Sequence, residues 1–296
     1  MKFRHIGKYR PHDLEKVQQY QLLDFAKRFL RKFDNLLGVI KEQQPKILAE
    51  YVANLEARCQ QLVKRDYLSV RKVDVSPLIA ELTNLSEFPQ LAGIYLNYHI
   101  QFLQLPEDKE WESEKVGVTQ QAYLRSALIP QYTNLQVLTE TTTRDEAIQL
   151  FKQHIDDYAR KQIADQEDKF QTLEEFREDV LQVNQEYSGP ARVVGEVKDG
   201  RLVIRKDYCD WDVALEDLTD RELKYLVCCY GDFENIRSIN KCFKLTMEHT
   251  IAAGDPYCDC VFYDTRITKD FMHPPKEFFD SIWPLSRAQF LSRSFI

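Results

Sequence analysis

The sequence of 296 residues has no apolar run approaching the ~18 residues of a membrane-spanning helix, because charges interrupt every apolar segment. No membrane span is expected. Met1–Arg10 is basic but lacks the run of ~7–15 apolar residues and the small-residue cleavage site of a signal peptide, so it is not read as one. Positive charge is also short: 40 Lys plus Arg against 47 Asp plus Glu leave a net charge of -7, which argues against a basic nucleic-acid domain. The Cys-x2-Cys pairs usual in zinc sites are missing, and neither a metal nor another cofactor is expected. Tandem repeats are not apparent. What is present is 44% hydrophobic residues, enough for a real core in one or two globular domains. The cysteine count is odd, Cys228 and Cys229 are adjacent, and a chain of this size needs no disulfide staples. Reduced thiols in a cytoplasmic protein are the simplest account.

The two ends of the chain differ. Six of the seven cysteines and five of the nine glycines follow residue 188. From His12 to Ile40, Leu22, Phe25, Phe29, Phe33, Leu36 and Ile40 recur at three- and four-residue steps, which predicts a long amphipathic helix. Such a stripe suits a core or a dimer seam, so a homodimer through the N-terminal helices is one expectation. A second helix follows Pro45, with Leu48, Tyr51, Leu55, Cys59 and Leu62 on its buried stripe. Pro106 to Val118 reads as a solvated connection, and Tyr123 to Leu138 as a helix interrupted at Pro130. Thr143, Thr172 and Thr219 each stand three residues before a glutamate, the capping-box spacing, and predict three helix starts.

Ser188-Gly189-Pro190 is a strong turn signal and sets the expected boundary between a helical domain, 1–188, and a cysteine-rich domain, 189–296. Beyond it, Asp199-Gly200 between two apolar runs predicts a tight hairpin. Cys242 to Ile251 alternates Phe243, Leu245, Met247, His249 and Ile251 on one face of a predicted strand. Tyr257 to Tyr263 puts Cys258, Cys260 and Phe262 on one face and Tyr257, Asp259, Val261 and Tyr263 on the other. The expected fold class is α+β: helices first, then antiparallel strands packed with helices.

Cys209, Cys228-Cys229 and Cys258 mark the chemistry. A thiol becomes a nucleophile only with a lowered pKa or a neighbouring base, and His249, the only histidine within the strands and helices of this region, is the candidate base on strand periodicity. Asp232, three residues after Cys229, is placed to orient a base or hold a cation. Buried cysteines mostly behave as small hydrophobes, and Asp255 in its Gly-Asp-Pro turn suits backbone donors.

Three runs carry a resemblance: Asp207-Tyr208-Cys209, Leu218 through Cys229 to Asp232, and Thr250 through Gly254 to Cys258-Asp259. Over the last third of the chain they resemble the L-2-amino-thiazoline-4-carboxylic acid hydrolase family. The Gly254 to Cys258 ending is also similar to four-vinyl-reductase-type small-molecule-binding domains. Cys260 and Val261 stand where the hydrolase family commonly has an aromatic and a basic residue. The resemblance implies hydrolysis of a cyclic amidine-like C–N or C–S bond in a small molecule, with Cys229, Cys258 and Asp232 at the reacting centre and Cys209, Thr250 and Asp259 binding substrate, and it leaves Cys59, Cys228, Cys242 and Cys260 as structural residues. The alternative is a non-catalytic small-molecule-binding module joined to a helical partner-binding region.

Overall fold

The computed structural model describes residues 2–6, 14–70, 73–105, 115–164, 166–186 and 192–282. Ser188-Gly189-Pro190, His12, Trp111 and Trp283 lie outside them. Two compact units are present, one of residues 14–158 and one of residues 1–13 with 159–296.

In chain order, β1 (Phe3–Ile6) is followed by β2 (Val17–Gln21), α1 (Leu22–Gln43), α2 (Leu48–Leu62), α3 (Tyr67–Val70), α4 (Ser76–Ile79), α5 (Pro89–Ile100), β3 (Lys115–Thr119) and α6 (Gln120–Thr141). Helix α1 starts ten residues later than the sequence suggests, since Val17–Gln21 pairs with Lys115–Thr119 as a two-stranded antiparallel ribbon. Its apolar stripe is as read, with Leu22, Phe25, Phe29, Phe33, Leu36 and Ile40 all buried. Cys59 is buried in α2, and burial pushes its thiol up to about 12. Pro130 does not interrupt α6. Proline has no N–H for the carbonyl four residues back. That carbonyl, on Ser126, lies 2.8 Å from His99 Nδ1, so the ring N–H donates where the backbone cannot.

The other elements are α7 (Arg144–Ile163), α8 (Leu173–Glu186), β4 (Arg192–Gly195), β5 (Arg201–Lys206), α9 (Asp210–Ala214), α10 (Arg221–Cys228), α11 (Asp232–Asn235), β6 (Phe243–Thr246), β7 (Cys258–Asp264) and α12 (Lys276–Ser281). Thr143 and Glu146 form the reciprocal cap of α7, each accepting from the other's backbone N–H at 3.4 and 3.3 Å. Thr172 caps α8 from one side only, because Glu175 reaches back to the Gln171 amide. At α10 the cap moves one residue on. Asp220, not Thr219, accepts from Leu223 N at 3.2 Å, and its charge makes it the stronger partner of a helix N-terminus.

Five strands form one antiparallel sheet in the order β1-β4-β5-β7-β6. The β4–β5 turn uses Asp199 and Gly200, both at positive φ (51° and 71°), the pair of left-handed residues that matches strand twist. Side-chain alternation builds two layers. Val194, Leu202, Ile204, Leu245, Cys260 and Phe262 meet Leu173, Phe176 and Val180 of α8 on one face. Val193, Val203, Tyr257, Val261 and Tyr263 meet Phe279 and Ile282, at α12, on the other. The fold class is α+β, with helices first and this sheet in the C-terminal part. Strand β1 and helix α8 come from the first 188 residues yet pack with the sheet.

Candidate functional site

Register brings the chemistry together. On the α8 face of the sheet, Arg192 of β4 pairs with Lys206 of β5, and Lys206 with Cys258 of β7. One step further in, the corresponding row is Val194, Ile204 and Cys260. The apolar floor therefore gives way at the sheet end to a row of two cations and a thiol. Above that row lie the loop that follows β5, with Tyr208, Cys209, Asp210 and Trp211, and the turn from α10 to α11, with Cys228, Cys229 and Asp232. With Met247, these residues line a cavity of about 310 Å³.

Local backbone chemistry fixes the walls. Cys209 is the residue before α9, and its carbonyl accepts from Val213 N at 3.1 Å. Cys229 closes α10, its amide bonding to Tyr225 O at 2.8 Å, and its carbonyl accepts from Asp232 N at 3.0 Å. A helix ending between Cys228 and Cys229 turns two successive side chains toward one space. The two walls are joined by Lys224 of α10, whose Nζ lies 2.6 Å from Asp212 Oδ1 of α9. On the sheet side, Cys258 Sγ accepts from the Ile251 amide at 3.3 Å.

Electrostatics are uneven. Burial pushes the thiols of Cys209, Cys228, Cys229 and Cys258 up from their ordinary range, so they rest as neutral thiols near pH 7. Burial also raises the Asp232 carboxyl, with Lys206 opposing that shift. Burial lowers Arg192, whose Nε is buried without a hydrogen-bond partner among the described residues. Two cations, a carboxyl with a raised pKa and four neutral thiols thus share one small space. Among the described residues, no group of three His, Cys, Asp or Glu is placed to hold a metal ion.

Of the residues singled out in the sequence, Cys209, Cys229, Cys258 and Asp232 meet at this cavity. His249, Thr250 and Asp259 do not line it. Asp259 alternates with Cys258 and Cys260 and projects from the other face of the sheet, fully buried. Its Oδ1 accepts the amides of Glu248 and His249, both at 2.9 Å, and its Oδ2 accepts from His249 Nδ1 at 2.6 Å. His273 Nε2 lies 3.1 Å from the same oxygen. Because that carboxylate captures two backbone amides, β6 ends at Thr246, and His249 leaves the strand whose alternation pointed it inward. Thr250 accepts from Ala253 N at 3.3 Å and caps the turn Ile251–Ala253. Asp255 accepts from Thr250 N at 2.8 Å, the backbone role expected of it.

Sequence reading missed Arg192, Lys206 and Trp211, and took Cys228 as structural. The signal for the two cations was available in part. Lys206 follows Ile204 and Leu202 at period two, and Arg192 precedes Val194, so strand alternation places both on the Cys258 face once the pairing register is known.

An α+β unit with a sulfur-lined cavity at the end of its antiparallel sheet is the class of protein that fold and site define. Residues 123–262 match the family described as L-2-amino-thiazoline-4-carboxylic acid hydrolase. That range starts in α6, well ahead of the three runs that carry the resemblance in the sequence, and covers every residue lining the cavity. No curated protein and no solved structure matches the chain. Among the described residues, no helix is long and apolar enough to cross a membrane.

Proposed function

We propose that the protein is a small-molecule hydrolase that opens a cyclic amidine-like C–N/C–S linkage in this cavity. The observation that carries the reading is the convergence of Cys209, Cys229, Cys258 and Asp232, drawn from three separate runs of the sequence, on one space with Lys206 and Arg192. In a thiazoline substrate, a water oxygen bonds to the ring carbon between nitrogen and sulfur, either directly or by displacing Cys229 sulfur that has first added there, in which case the Cys229 S–C bond breaks as the carbonyl forms and the thiol regains its proton. Asp232, raised toward neutrality by burial, takes the proton from the attacking group. The tetrahedral intermediate collapses with cleavage of the C–S bond. One water proton ends on the ring nitrogen and the other on the departing sulfur, with a neutral cavity thiol such as Cys258 as the immediate donor. Lys206 and Arg192 hold a substrate acid group and stabilise developing negative charge.

One observation favours the alternative of a ligand-binding module without turnover. Every lining thiol is pushed away from the thiolate, where an activated nucleophile would be drawn toward it. Incubation with thiazolines, amides and carbamoyl compounds, read by release of free thiol or amine, separates the two. Turnover by the native chain, reduced at least about 100-fold in Cys229→Ala or Asp232→Asn, supports the hydrolase. No turnover, with a small molecule from cell extract bound equally by native chain and variants, supports the module. Free thiols in all seven cysteines fit a reducing, cytoplasmic setting, which we include in the proposal.

A further inference from the structure

Trp211 is the only aromatic side chain among the large hydrophobic residues that remain exposed in the described part of the chain, at 43% of its surface. An exposed Trp needs an explanation more than an exposed Leu does. It also lines the cavity beside Cys209, so it stands at the mouth, part facing inward and part facing solvent. Its backbone is held firmly. Ala214 and Leu215 of the same short segment are fully buried, Asp212 is tied to Lys224, and the turn bonds to the Cys209 carbonyl. An indole carried on a firmly held backbone at the rim of a small cavity can serve as a stacking surface. Deeper in, Arg192 and Lys206 stand side by side, and the Arg192 Nε is unpartnered among the described residues.

We propose that Trp211 is the specificity-determining face of this cavity, stacking on a planar ring whose acid group is seated on Arg192 and Lys206. The inference rests on the reading of the cavity as the substrate site and adds to it a preference for rings flattened by unsaturation, as the C=N of a thiazoline flattens its ring, over saturated ones. A flat ring lies against the indole over its whole area. A puckered ring of the same atoms and charge touches it at an edge.

Titration calorimetry on the full chain tests this with two probes, thiophene-2-carboxylate, which is planar, and tetrahydrothiophene-2-carboxylate, which is puckered. The native protein is expected to favour the planar ring about five- to tenfold, from the worth of an aromatic stacking contact. Trp211→Phe keeps most of that preference and Trp211→Leu abolishes it, while Arg192→Met weakens both rings equally. A Trp211→Leu variant that keeps the native ratio, or a native protein that binds neither ring, overturns the inference. Its fate is separable from that of the hydrolase reading. A protein that opens thiazolines without any planar preference loses only the stacking role, and one with a Trp211-dependent preference but no turnover keeps it.

Discussion

Asp259 offers the deepest test of how the sheet supports the site. It is a fully buried carboxylate with four donors around it: two amides at 2.9 Å, His249 at 2.6 Å and His273 at 3.1 Å. Replacing it by Asn keeps the volume, removes the charge and sets an NH2 group against donors. Breaking a buried, hydrogen-bonded ion pair costs about 3–5 kcal/mol, so Asp259→Asn is expected to lose that much in denaturant unfolding of this unit. Loss of amide protection at Glu248 and His249 in hydrogen exchange localises the effect. The partners titrate in opposite senses. Against burial, hydrogen bonds from the two amides and His249, with His273 Nε2 close by, hold Asp259 below its ordinary value of 3.8, so its contribution is present above that value and is lost as pH falls through the folded one. The bond to Asp259 raises His249 above 6.5, so its contribution is full below 6.5 and is lost as pH rises through the folded pKa. The contribution of this pair is therefore full between those two ordinary values, and Asp259→Asn removes it from the pH profile. A variant that loses less than ~1 kcal/mol and keeps the native pH profile refutes the reasoning.

Other consequences follow from the same contacts. Gly254 sits at φ 105°, and a Cβ there would press on the Arg221 guanidinium, so Gly254→Ala is expected to cost about 1–3 kcal/mol by chemical denaturation. A neutral result would show that the turn relaxes freely. Asp220→Ala removes the α10 cap and should cost about 1 kcal/mol, whereas Thr219→Ala should cost well under half of that. Equal losses would restore Thr219 as the cap. Because burial raises Cys209, Cys228, Cys229 and Cys258, their alkylation by iodoacetamide should be slow at pH 7 and accelerate only in alkaline solution. Rapid labelling of Cys229 at pH 7, read by mass spectrometry, would contradict the neutral-thiol account.

Local patterns carried much of the fold. The stripe of α1, the Asp199-Gly200 turn and the two faces of β7 follow from three- and two-residue periods that neighbouring residues enforce by themselves. Long-range pairings did not show. β1 joins β4 across well over half of the chain, and the Gln-rich Val17–Gln21 strand has no alternation to announce it. β6 reads too long because Phe243 to Ile251 keeps alternating, while the contact that ends the strand comes from Asp259, ten residues beyond His249. At the site, local motifs pointed to Cys209, Cys229, Cys258 and Asp232, since each stands in a distinctive run. Arg192 and Lys206 stayed hidden because a charge at a strand end looks solvated until register sets it beside a thiol. Cys228 stayed hidden because only the end point of α10 decides that two adjacent residues face one cavity.

The most direct test of the cavity as substrate site is protection from thiol labelling. Alkylation at alkaline pH is followed by mass spectrometry with and without 2-amino-thiazoline-4-carboxylate at saturating concentration. The account predicts that the compound shields Cys209, Cys229 and Cys258, which line the cavity, and leaves Cys59, buried in the helical unit, labelled at its own slow rate. Labelling of Cys229 and Cys258 unchanged by the compound, while the compound is hydrolysed, would place the chemistry elsewhere and contradict the account.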